Sequence, residues 1–320
     1  MLRIDPRVVA WDYLDMGCKL MLQARHKEAV AAFRQALSLD PEDARAHFNL
    51  GLCLLSLGDY AQGWLELEWR WKIFDWKWGY LDESVHRLKA IKEWRGQVLL
   101  GHNLLVYHEQ GYGDNIMMLR YLPLFLRGGA NVTVWTLEPL RPLIEHFFPE
   151  VNCITKLPDD LSQFHFRTAT YGVMSALIQT PDKVPSAPFL KMEMKPLPGR
   201  LGVTWSGVTQ RVYKAQEFIR LLDHRNYELQ ALQLGLVPYG VKACQTQDFL
   251  GLAFLMSRME HIVTVDTATV HLAGAIGHPS VHLILPKLPD WRWYRADVWY
   301  PNIHIYKEDN WSDINRFLNP

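Results

Sequence analysis

The stretch HIVTVDTATVHLAGAIGHPSVHLILP (261–286) decides the fold of this chain. It begins with an apolar run rich in β-branched residues, passes through Asp266 and Thr267, and continues as a segment of small residues. A glycine, a proline and a second apolar run follow. This order predicts a strand, a helix over 268–276 and another strand, which is the unit from which parallel α/β sheets are built.

The start of that predicted helix has the features of an anion-binding site. Backbone amides at a helix N-terminus have no partner inside the helix and lie at the positive end of its dipole. Thr267 and Thr269 flank Ala268 with two hydroxyls, and His271 follows four residues after Thr267 on the same side. A diphosphate fits such a site. A capped core helix with a buried histidine is the alternative that the spacing leaves open.

Earlier parts of the chain show the same alternation of strands and helices. VLLGHNLLVYHEQ (98–110) includes a β-rich run, an apolar segment (115–129) predicts one helix, and NVTVWTLEP (131–139) predicts the next strand. GRLGVTWSG (199–207) is another strand, which ends in small residues and begins a second series. Two such series indicate parallel α/β sheets.

A glycine loop joins the first of these strands to its helix. Gly111 and Gly113 follow Gln110 and allow the backbone to turn tightly and approach a ligand at a helix N-terminus. One interpretation is a dinucleotide-binding turn, although Ile116 replaces its third glycine. The other interpretation makes Asp114 a catalytic base beside an open loop. Asp114 can also be a helix cap, and a capping aspartate can still face a cleft.

The first 75 residues carry a helical repeat. Gly17 and Gly51 are 34 residues apart, which is the period of the tetratricopeptide repeat (TPR). The second unit is degenerate, with Gly63 and Arg70 where small alanines are expected. Two unrelated helical hairpins are the alternative. The first unit matches the pattern at Tyr13, Gly17, Leu20, Ala29, Phe33, Ala36 and Pro41.

Two units are fewer than the roughly three that such repeats need to bury their faces, so the open end is expected to be covered. The segment WLELEWRWKIFDWKWGY (64–80) is either a ligand groove or a packing seam against the next domain. We favour the seam, because aromatic side chains bury large areas. Its aromatic residues include Trp64, Trp69, Trp71, Trp76, Trp78 and Tyr80.

Composition excludes several classes of protein. The net charge is +0, which gives no electrostatic sign of a general nucleic-acid binder. The N-terminus carries charges where a signal peptide needs an apolar core, and no apolar stretch reaches the length of a membrane span. The cysteines, which form no CxxC pair, indicate a reducing compartment. We therefore expect a cytoplasmic protein. The cysteines are Cys18, Cys53, Cys153 and Cys244.

Four motifs, in order along nearly the whole chain, resemble one family. They are WLELEWRW (64–71), YHEQGYGDNIMMLRYLP (107–123), VTWSG (203–207), and VDTATVHLAGAIG followed by LPKLPDWRWYRADVWYP (265–301). These motifs resemble bacterial TPR-containing glycosyltransferase-like proteins, which are similar to glycosyltransferase family 9, the lipopolysaccharide heptosyltransferases.

This resemblance implies a GT-B-type fold, in which two α/β Rossmann-like domains face a cleft after a short all-α TPR segment. We predict TPR-like repeats at 1–75, an acceptor-side domain at 76–195 and a nucleotide-sugar-binding domain at 196–320. In the family the glycine-loop aspartate is the proposed base, which corresponds to Asp114 here. A lysine after the inter-domain strand contacts phosphate, and Lys214 is our choice, with Arg211 as the alternative. The implied donor-binding segment comprises Asp266, Thr267, Ala268, Thr269, His271 and Leu272.

The predicted function is transfer of a sugar from a nucleotide-diphosphate sugar to an acceptor hydroxyl, with inversion. No clustered metal ligands occur near the donor motif, so we expect no metal and no cofactor beyond the donor substrate. Protein, glycan and modified nucleic acid remain open as acceptors, and the TPR segment could bind a protein partner or a second copy. The alternatives are a non-catalytic TPR scaffold with a degenerate transferase module and a nicotinamide (NAD) oxidoreductase.

Overall fold

The computed structural model describes residues 5–74, 83–177, 180–185, 187–206 and 214–319 of the 320-residue chain. The chain begins with antiparallel helical hairpins. Aspartate side chains cap three of these helices at their N-termini, which satisfies amides that have no partner inside the helix. The helices are α1 (Pro6–Met21), α2 (His26–Leu39), α3 (Ala44–Ser56), α4 (Tyr60–Leu67) and α5 (Arg70–Phe74).

Small residues let the repeat helices approach closely. A Cβ atom added to Gly17 on α1 would lie 2.5 Å from the Phe33 ring on α2, so only glycine fits there. A Cβ atom added to Gly63 on α4 would lie 2.8 Å from the Leu55 side chain on α3. Gly63, which departs from the repeat pattern in the second unit, therefore allows the same close helix packing as the small alanine expected there.

The middle of the chain forms a four-stranded parallel sheet in the order β3-β2-β1-β4. Helices cover it, and a 3-10 helix at Glu83–Ala90 precedes it. The strands are β1 (Asn103–Tyr107), β2 (Asn131–Trp135), β3 (Asn152–Ile154) and β4 (Phe166–Ala169). The helices are α6 (Tyr112–Met118), α7 (Leu122–Arg127), α8 (Arg141–Phe147) and α9 (Thr170–Leu177).

The prediction of one continuous helix over 115–129 is wrong. The structure divides this segment into α6, a 3-10 turn at Leu119–Tyr121 and α7. Pro123 is the cause, because it has no amide hydrogen to donate to the preceding turn and is tolerated only in the first turn of a helix.

The rest of the chain forms a six-stranded parallel sheet in the order β10-β9-β8-β5-β6-β7. The segment 268–276 is a helix as predicted. The strands are β5 (Arg200–Thr204), β6 (Glu228–Ala231), β7 (Val241–Lys242), β8 (His261–Val265), β9 (Val281–Leu285) and β10 (Ile303–Lys307). The helices are α10 (Ala215–Leu221), α11 (Phe249–Met256), α12 (Ala268–Ile276), α13 (Ala296–Trp299) and α14 (Trp311–Leu318).

Renumbered from its first strand, the second sheet has the order 3-2-1-4-5-6, which is that of a Rossmann fold. The first sheet has the shorter order 3-2-1-4. The predicted fold class, two Rossmann-like domains of GT-B type preceded by a short all-α segment, is confirmed.

The repeat segment packs against both α/β domains. Trp64 on α4 is buried, and its ring lies edge-to-face with Trp291 at 5.2 Å and with Tyr171 at 5.8 Å. The indole of Trp299 donates a hydrogen bond to the Tyr60 hydroxyl. The interpretation of the segment 64–80 as a packing seam is confirmed for Trp64. The predicted seam residues Trp76, Trp78 and Tyr80 lie outside the described part of the chain.

Candidate functional site

A cavity of about 280 Å³ lies where the two α/β domains meet. In the second sheet, β6 and β7 lie on one side of β5, whereas β8, β9 and β10 lie on its other side. The direction in which successive strands are added therefore reverses between β5 and β8. Open α/β sheets bind ligands at this switch point, beyond the carboxyl ends of the strands. Thr204 at the end of β5 and Thr267 after β8 line the cavity, and Tyr112 reaches it from the first domain.

The N-terminus of α12 forms one wall of this cavity. Thr267 is the N-cap residue, and its hydroxyl accepts a hydrogen bond from the Thr269 amide at 3.1 Å. Ala268 also lines the cavity. The Thr269 hydroxyl is buried, within 3.3 Å of the Thr204 hydroxyl and 3.4 Å of the Leu232 carbonyl. Of the two predicted hydroxyls, that of Thr269 therefore already has protein partners.

His271 lies between the two domains and not in the open cavity. Its Nδ1 atom is 3.1 Å from the Tyr300 hydroxyl, and its ring stacks on Trp293. A Cβ atom added to Gly113 of the glycine loop would lie 2.5 Å from the His271 Cδ2 atom. Burial lowers the pKa of His271 well below its usual value, and the nearby charge of Arg292 lowers it further, so the ring is neutral.

Asp114 occupies the start of α6, at the switch point of the first sheet between β1 and β4. Its Oδ2 atom accepts a hydrogen bond from the Gly111 amide at 3.2 Å. Gly111 is the N-cap residue, so Asp114 is not the N-cap itself but bonds back to it from the third position of the helix. Its Oδ1 atom accepts hydrogen bonds from the Tyr171 hydroxyl and from Arg292 Nη2. Burial raises the pKa of Tyr171 well above its usual value, so its hydroxyl keeps its proton at neutral pH and donates a hydrogen bond to Asp114.

Arg292 connects the charged groups of the two domains, and the sequence did not single it out. Its Nη2 atom also lies 2.9 Å from the Tyr171 hydroxyl, and its Nη1 atom lies 3.0 Å from Asp290 Oδ1. Asp266 is close to this group, and burial raises its pKa to about 7. The only available signal was the quoted motif 285–301, which contains Arg292 but names no role for it.

A second buried ion pair, between Arg70 and Glu109, lies next to the glycine loop. The Glu109 carboxylate, just before the loop, accepts hydrogen bonds from Arg70 Nε at 2.9 Å and from Arg70 Nη2 at 3.2 Å. It also accepts a hydrogen bond from the Tyr171 amide. Arg70 is the residue that stands where the repeat pattern expects alanine. Its place is explained by this pairing, because a buried carboxylate needs a hydrogen-bonded partner.

The remaining predicted residues are distributed as follows. Leu272 is buried in the hydrophobic core and does not line the cavity. Lys214 is exposed at the start of α10, and Arg211 lies outside the described residues. Gln110 adopts a left-handed backbone with φ 60°, which turns the chain from β1 into α6. The donor-binding roles of Leu272, Lys214 and Arg211 stay predictions, as does the role of Gln110 in the glycine loop.

The described residues include neither a cluster of metal ligands nor a helix suited to cross a bilayer. Among them, no group of three or more His, Cys, Asp or Glu side chains is placed to hold a metal ion. None of the described helices combines the length and apolar character that crossing a bilayer requires.

Residues 14–63 match the tetratricopeptide repeat family model, which confirms the predicted repeat. Protein FlbA of Caulobacter vibrioides is 23% identical over 358 residues. The alignment covers 95% of this chain, and the chain spans only 58% of the length of that relative.

Two solved structures of glycosyltransferases are similar to this chain. The iron-containing dodecameric glycosyltransferase TibC from enterotoxigenic E. coli has 11% identity and a TM-score of 0.47, with 59% of each chain covered. The glycosyl transferase family 9 protein from Veillonella parvula has 10% identity and a TM-score of 0.45, covering 70% of this chain and 91% of that one. The fold assignment rests on the strand orders of the two sheets.

Proposed function

We propose that this protein is a glycosyltransferase that moves a sugar from a nucleotide-diphosphate sugar to an acceptor hydroxyl. The cavity at the N-terminus of α12 is the observation that carries this proposal. It lies at the ligand-binding edge of a Rossmann-like sheet, is closed on its far side by Tyr112 of the other domain, and has the positive end of a helix in its wall.

The donor diphosphate binds at Thr267 and Ala268 in this proposal. The Ala268 amide belongs to the first turn of α12, where amides have no partner inside the helix. The Thr267 hydroxyl can donate its hydrogen to a phosphate oxygen while it accepts from the Thr269 amide. Lys214, which is exposed at the start of α10, is our candidate for additional positive charge on the diphosphate, with Arg211 as the alternative.

The transfer step uses Asp114 as the base. The acceptor oxygen attacks the anomeric carbon, the bond from that carbon to the diphosphate oxygen breaks, and the hydroxyl proton passes to the Asp114 carboxylate. Tyr171 and Arg292 fix the direction of that carboxylate. The α12 dipole stabilises the charge that develops on the leaving diphosphate. Attack from the side opposite the leaving group inverts the anomeric centre.

The nicotinamide alternative is disfavoured by the packing of the first domain. Ile116, where a dinucleotide turn requires its third glycine, is completely buried. The switch point of that sheet holds Asp114 in contact with Tyr171 and Arg292, so a pyrophosphate placed on α6 would meet a carboxylate there.

The other attributes of the transferase belong to the same proposal. We infer a nucleotide-sugar-binding domain at 196–320, an acceptor-side domain at 76–195, metal-independent chemistry and a cytoplasmic location. We propose that the repeat segment, 1–75, binds a protein partner.

Calorimetry with a panel of nucleoside diphosphates tests the proposal. We expect the wild type to bind one of them and Thr267→Val to bind it more weakly by about 1.5–3 kcal/mol, the loss of one hydrogen bond to a charged group. His271→Ala should also weaken binding, since its ring fixes the position of α12 against the first domain. Thr133→Val, on β2 and away from the cavity, is the matched control. Equal binding by the wild type and both variants would place the site elsewhere, and no binding at all would refute the transferase.

A further inference from the structure

Two helices begin at the proposed donor cavity, and the residues that cap them differ in charge. Thr267, the N-cap residue of α12, and Asp248, the N-cap residue of α11, both line this cavity. Thr267 supplies a neutral hydroxyl, whereas Asp248 supplies a carboxylate whose Oδ1 atom accepts a hydrogen bond from the Gly251 amide at 2.7 Å. The N-terminus of α11 therefore already has a negative charge beside it, and that of α12 does not.

The second oxygen of Asp248 is the feature that the helix cap does not explain. Within the described part of the chain, the hydrogen bond from Gly251 goes to Oδ1, and Oδ2 accepts none. No lysine or arginine is among the described residues that line the cavity. A carboxylate in a wall without a cation favours ligand groups that donate hydrogen bonds and carry no negative charge.

Charge decides which way a nucleoside diphosphate lies in this cavity. Its diphosphate is repelled by the carboxylate of Asp248 and attracted by the N-terminus of α12, where the cap is neutral. The phosphates therefore belong at Thr267, and the uncharged nucleoside belongs at Asp248.

The ribose is the part of the nucleoside that meets Asp248. It is bonded to the phosphate, whereas the base is one group further away, and the two caps share a cavity of only about 280 Å³. Its vicinal hydroxyls are neutral donors, and their hydrogen bonds to a carboxylate are charge-assisted and roughly twice as strong as neutral ones. Dinucleotide-binding sheets also bind ribose through a carboxylate. The apolar residues of the wall, which suit the faces of the base, are Pro139, Leu232, Leu234, Phe249 and Leu252.

We propose that Asp248 is the ribose-binding residue of the donor site and that it makes this site selective for ribonucleotides. This inference rests on the proposed transferase function and defines the class of donor that the same site accepts. Asp248 Oδ2 accepts hydrogen bonds from the 2′ and 3′ hydroxyls while Oδ1 keeps its hydrogen bond from Gly251. A deoxynucleotide takes a donor away from this charged oxygen, so its affinity is lower.

Calorimetry on the full chain tests this proposal with a nucleoside diphosphate that binds the wild type and with its 2′-deoxy and 3′-deoxy analogues. The variant is Asp248→Ser, because serine caps a helix as well as aspartate does but lacks the second oxygen. Asp248→Asn replaces it if the serine variant does not fold, since the asparagine nitrogen donates where the carboxylate oxygen accepts. Melting temperatures check folding, and every titration is made once with EDTA and once with magnesium.

The matched control is Asp59→Ser. Asp59 caps α4, which like α11 has eight residues, and its side chain accepts a hydrogen bond from the amide three residues further on, that of Gln62, at 3.3 Å. Asp59 lies outside the described lining of the cavity. The control therefore makes the same change at the same kind of cap, away from the proposed ribose.

We expect the wild type to bind at least one deoxy analogue more weakly than the ribonucleotide, by about tenfold or more. The change at Asp248 should reduce this ratio of affinities to less than about threefold, and Asp59→Ser should keep the wild-type ratio. Equal affinities in the wild type, or a ratio that the change at Asp248 leaves as it was, would show that Asp248 only caps α11 and would overturn the inference.

Two further outcomes separate this inference from its alternatives. Binding that needs magnesium in the wild type but not in the Asp248 variant would place Asp248 on a metal ion, and the inference would be wrong. Failure of every nucleoside diphosphate to bind the wild type refutes the transferase itself, and the inference with it.

Discussion

Asp114 and Arg292 are 178 residues apart in the sequence and form an ion pair across the two α/β domains. The same carboxylate oxygen accepts from Tyr171, and the second oxygen caps α6 through the Gly111 amide. The side chain is therefore held by groups from three different segments. This arrangement gives the proposed base a single orientation at the point where the domains meet.

Asp114→Asn is expected to abolish sugar transfer while donor binding remains nearly intact. The amide cannot accept the acceptor proton. Its single oxygen can still receive the Gly111 hydrogen bond that caps α6, although the amide nitrogen then replaces the oxygen that accepts from Tyr171 and Arg292. Steady-state transfer and calorimetry with the nucleoside diphosphate measure the two effects separately. Loss of a general base normally slows a reaction by more than about tenfold. Transfer at more than about a tenth of the wild-type rate would therefore rule out this role.

Asp266→Asn is expected to stabilise the fold at neutral pH. Burial raises the pKa of Asp266 from 3.8 to about 7. Between those values the unfolded chain releases a proton that the folded chain keeps, so wild-type stability falls as pH rises, by up to about 1.4 kcal/mol per pH unit. The asparagine variant lacks this dependence.

Urea unfolding from about pH 4 to about pH 8 measures the difference between Asp266→Asn and the wild type. The advantage of the variant should grow up to about pH 7 and then stay constant. A difference that does not change with pH would show that Asp266 is not kept protonated by burial.

Gly113→Ala is expected to destabilise the contact between the two domains by about 1–3 kcal/mol. The new methyl group would lie 2.5 Å from the His271 ring, which is enclosed by Trp293 and bonded to Tyr300. Gly111→Ala is the matched control, because its methyl group would meet only Asp114 Oδ2, at 3.6 Å. Chemical unfolding of both variants distinguishes the two positions, and equal stability would contradict the close packing of α6 on α12.

Deletion of residues 1–75 is expected to destabilise the whole protein. It removes the Trp64 side chain from its place against Trp291 and Tyr171, and it removes Arg70, which leaves the buried Glu109 carboxyl without its cation. The measurement is the melting temperature of the truncated chain. A soluble, monodisperse product with an unchanged melting temperature would show that the repeats are an independent module.

Trp64→Ala tests the same seam in the full chain. A loss of about 3–5 kcal/mol is expected for this buried ring. Trp11→Ala, at an exposed position of α1, is the control and should change stability by less than about 0.5 kcal/mol.

Sugar transfer is expected to continue in the presence of EDTA. In the proposed mechanism the α12 dipole, with Lys214 or Arg211, stabilises the leaving diphosphate, so no divalent ion is required. Turnover is measured before and after chelation. Activity that disappears with EDTA and returns with magnesium or manganese would overturn the assignment of this charge stabilisation to protein groups.

Local patterns in the sequence determined the repeat, the five strands β1, β2, β5, β8 and β9, and the bounds of α12. Periodic apolar residues, glycine turns and capping residues act over a few neighbours, so they can be recognised without knowledge of the fold. The same patterns identified Asp114 and Thr267, because each stands at the start of a helix after a parallel strand. They also failed locally at Pro123, where a missing amide hydrogen interrupts a helix that the apolar pattern extends.

Only the tertiary structure decided which groups meet. The sequence left open whether His271 faces a cleft or the core, and the packing of α6 on α12 buries it against Gly113. Arg292 reaches Asp114, and Arg70 reaches Glu109, only because the two sheets and the repeat segment are placed side by side. Such pairs join residues that are distant in the chain. No spacing in a single sequence encodes them, because they depend on how complete elements pack together.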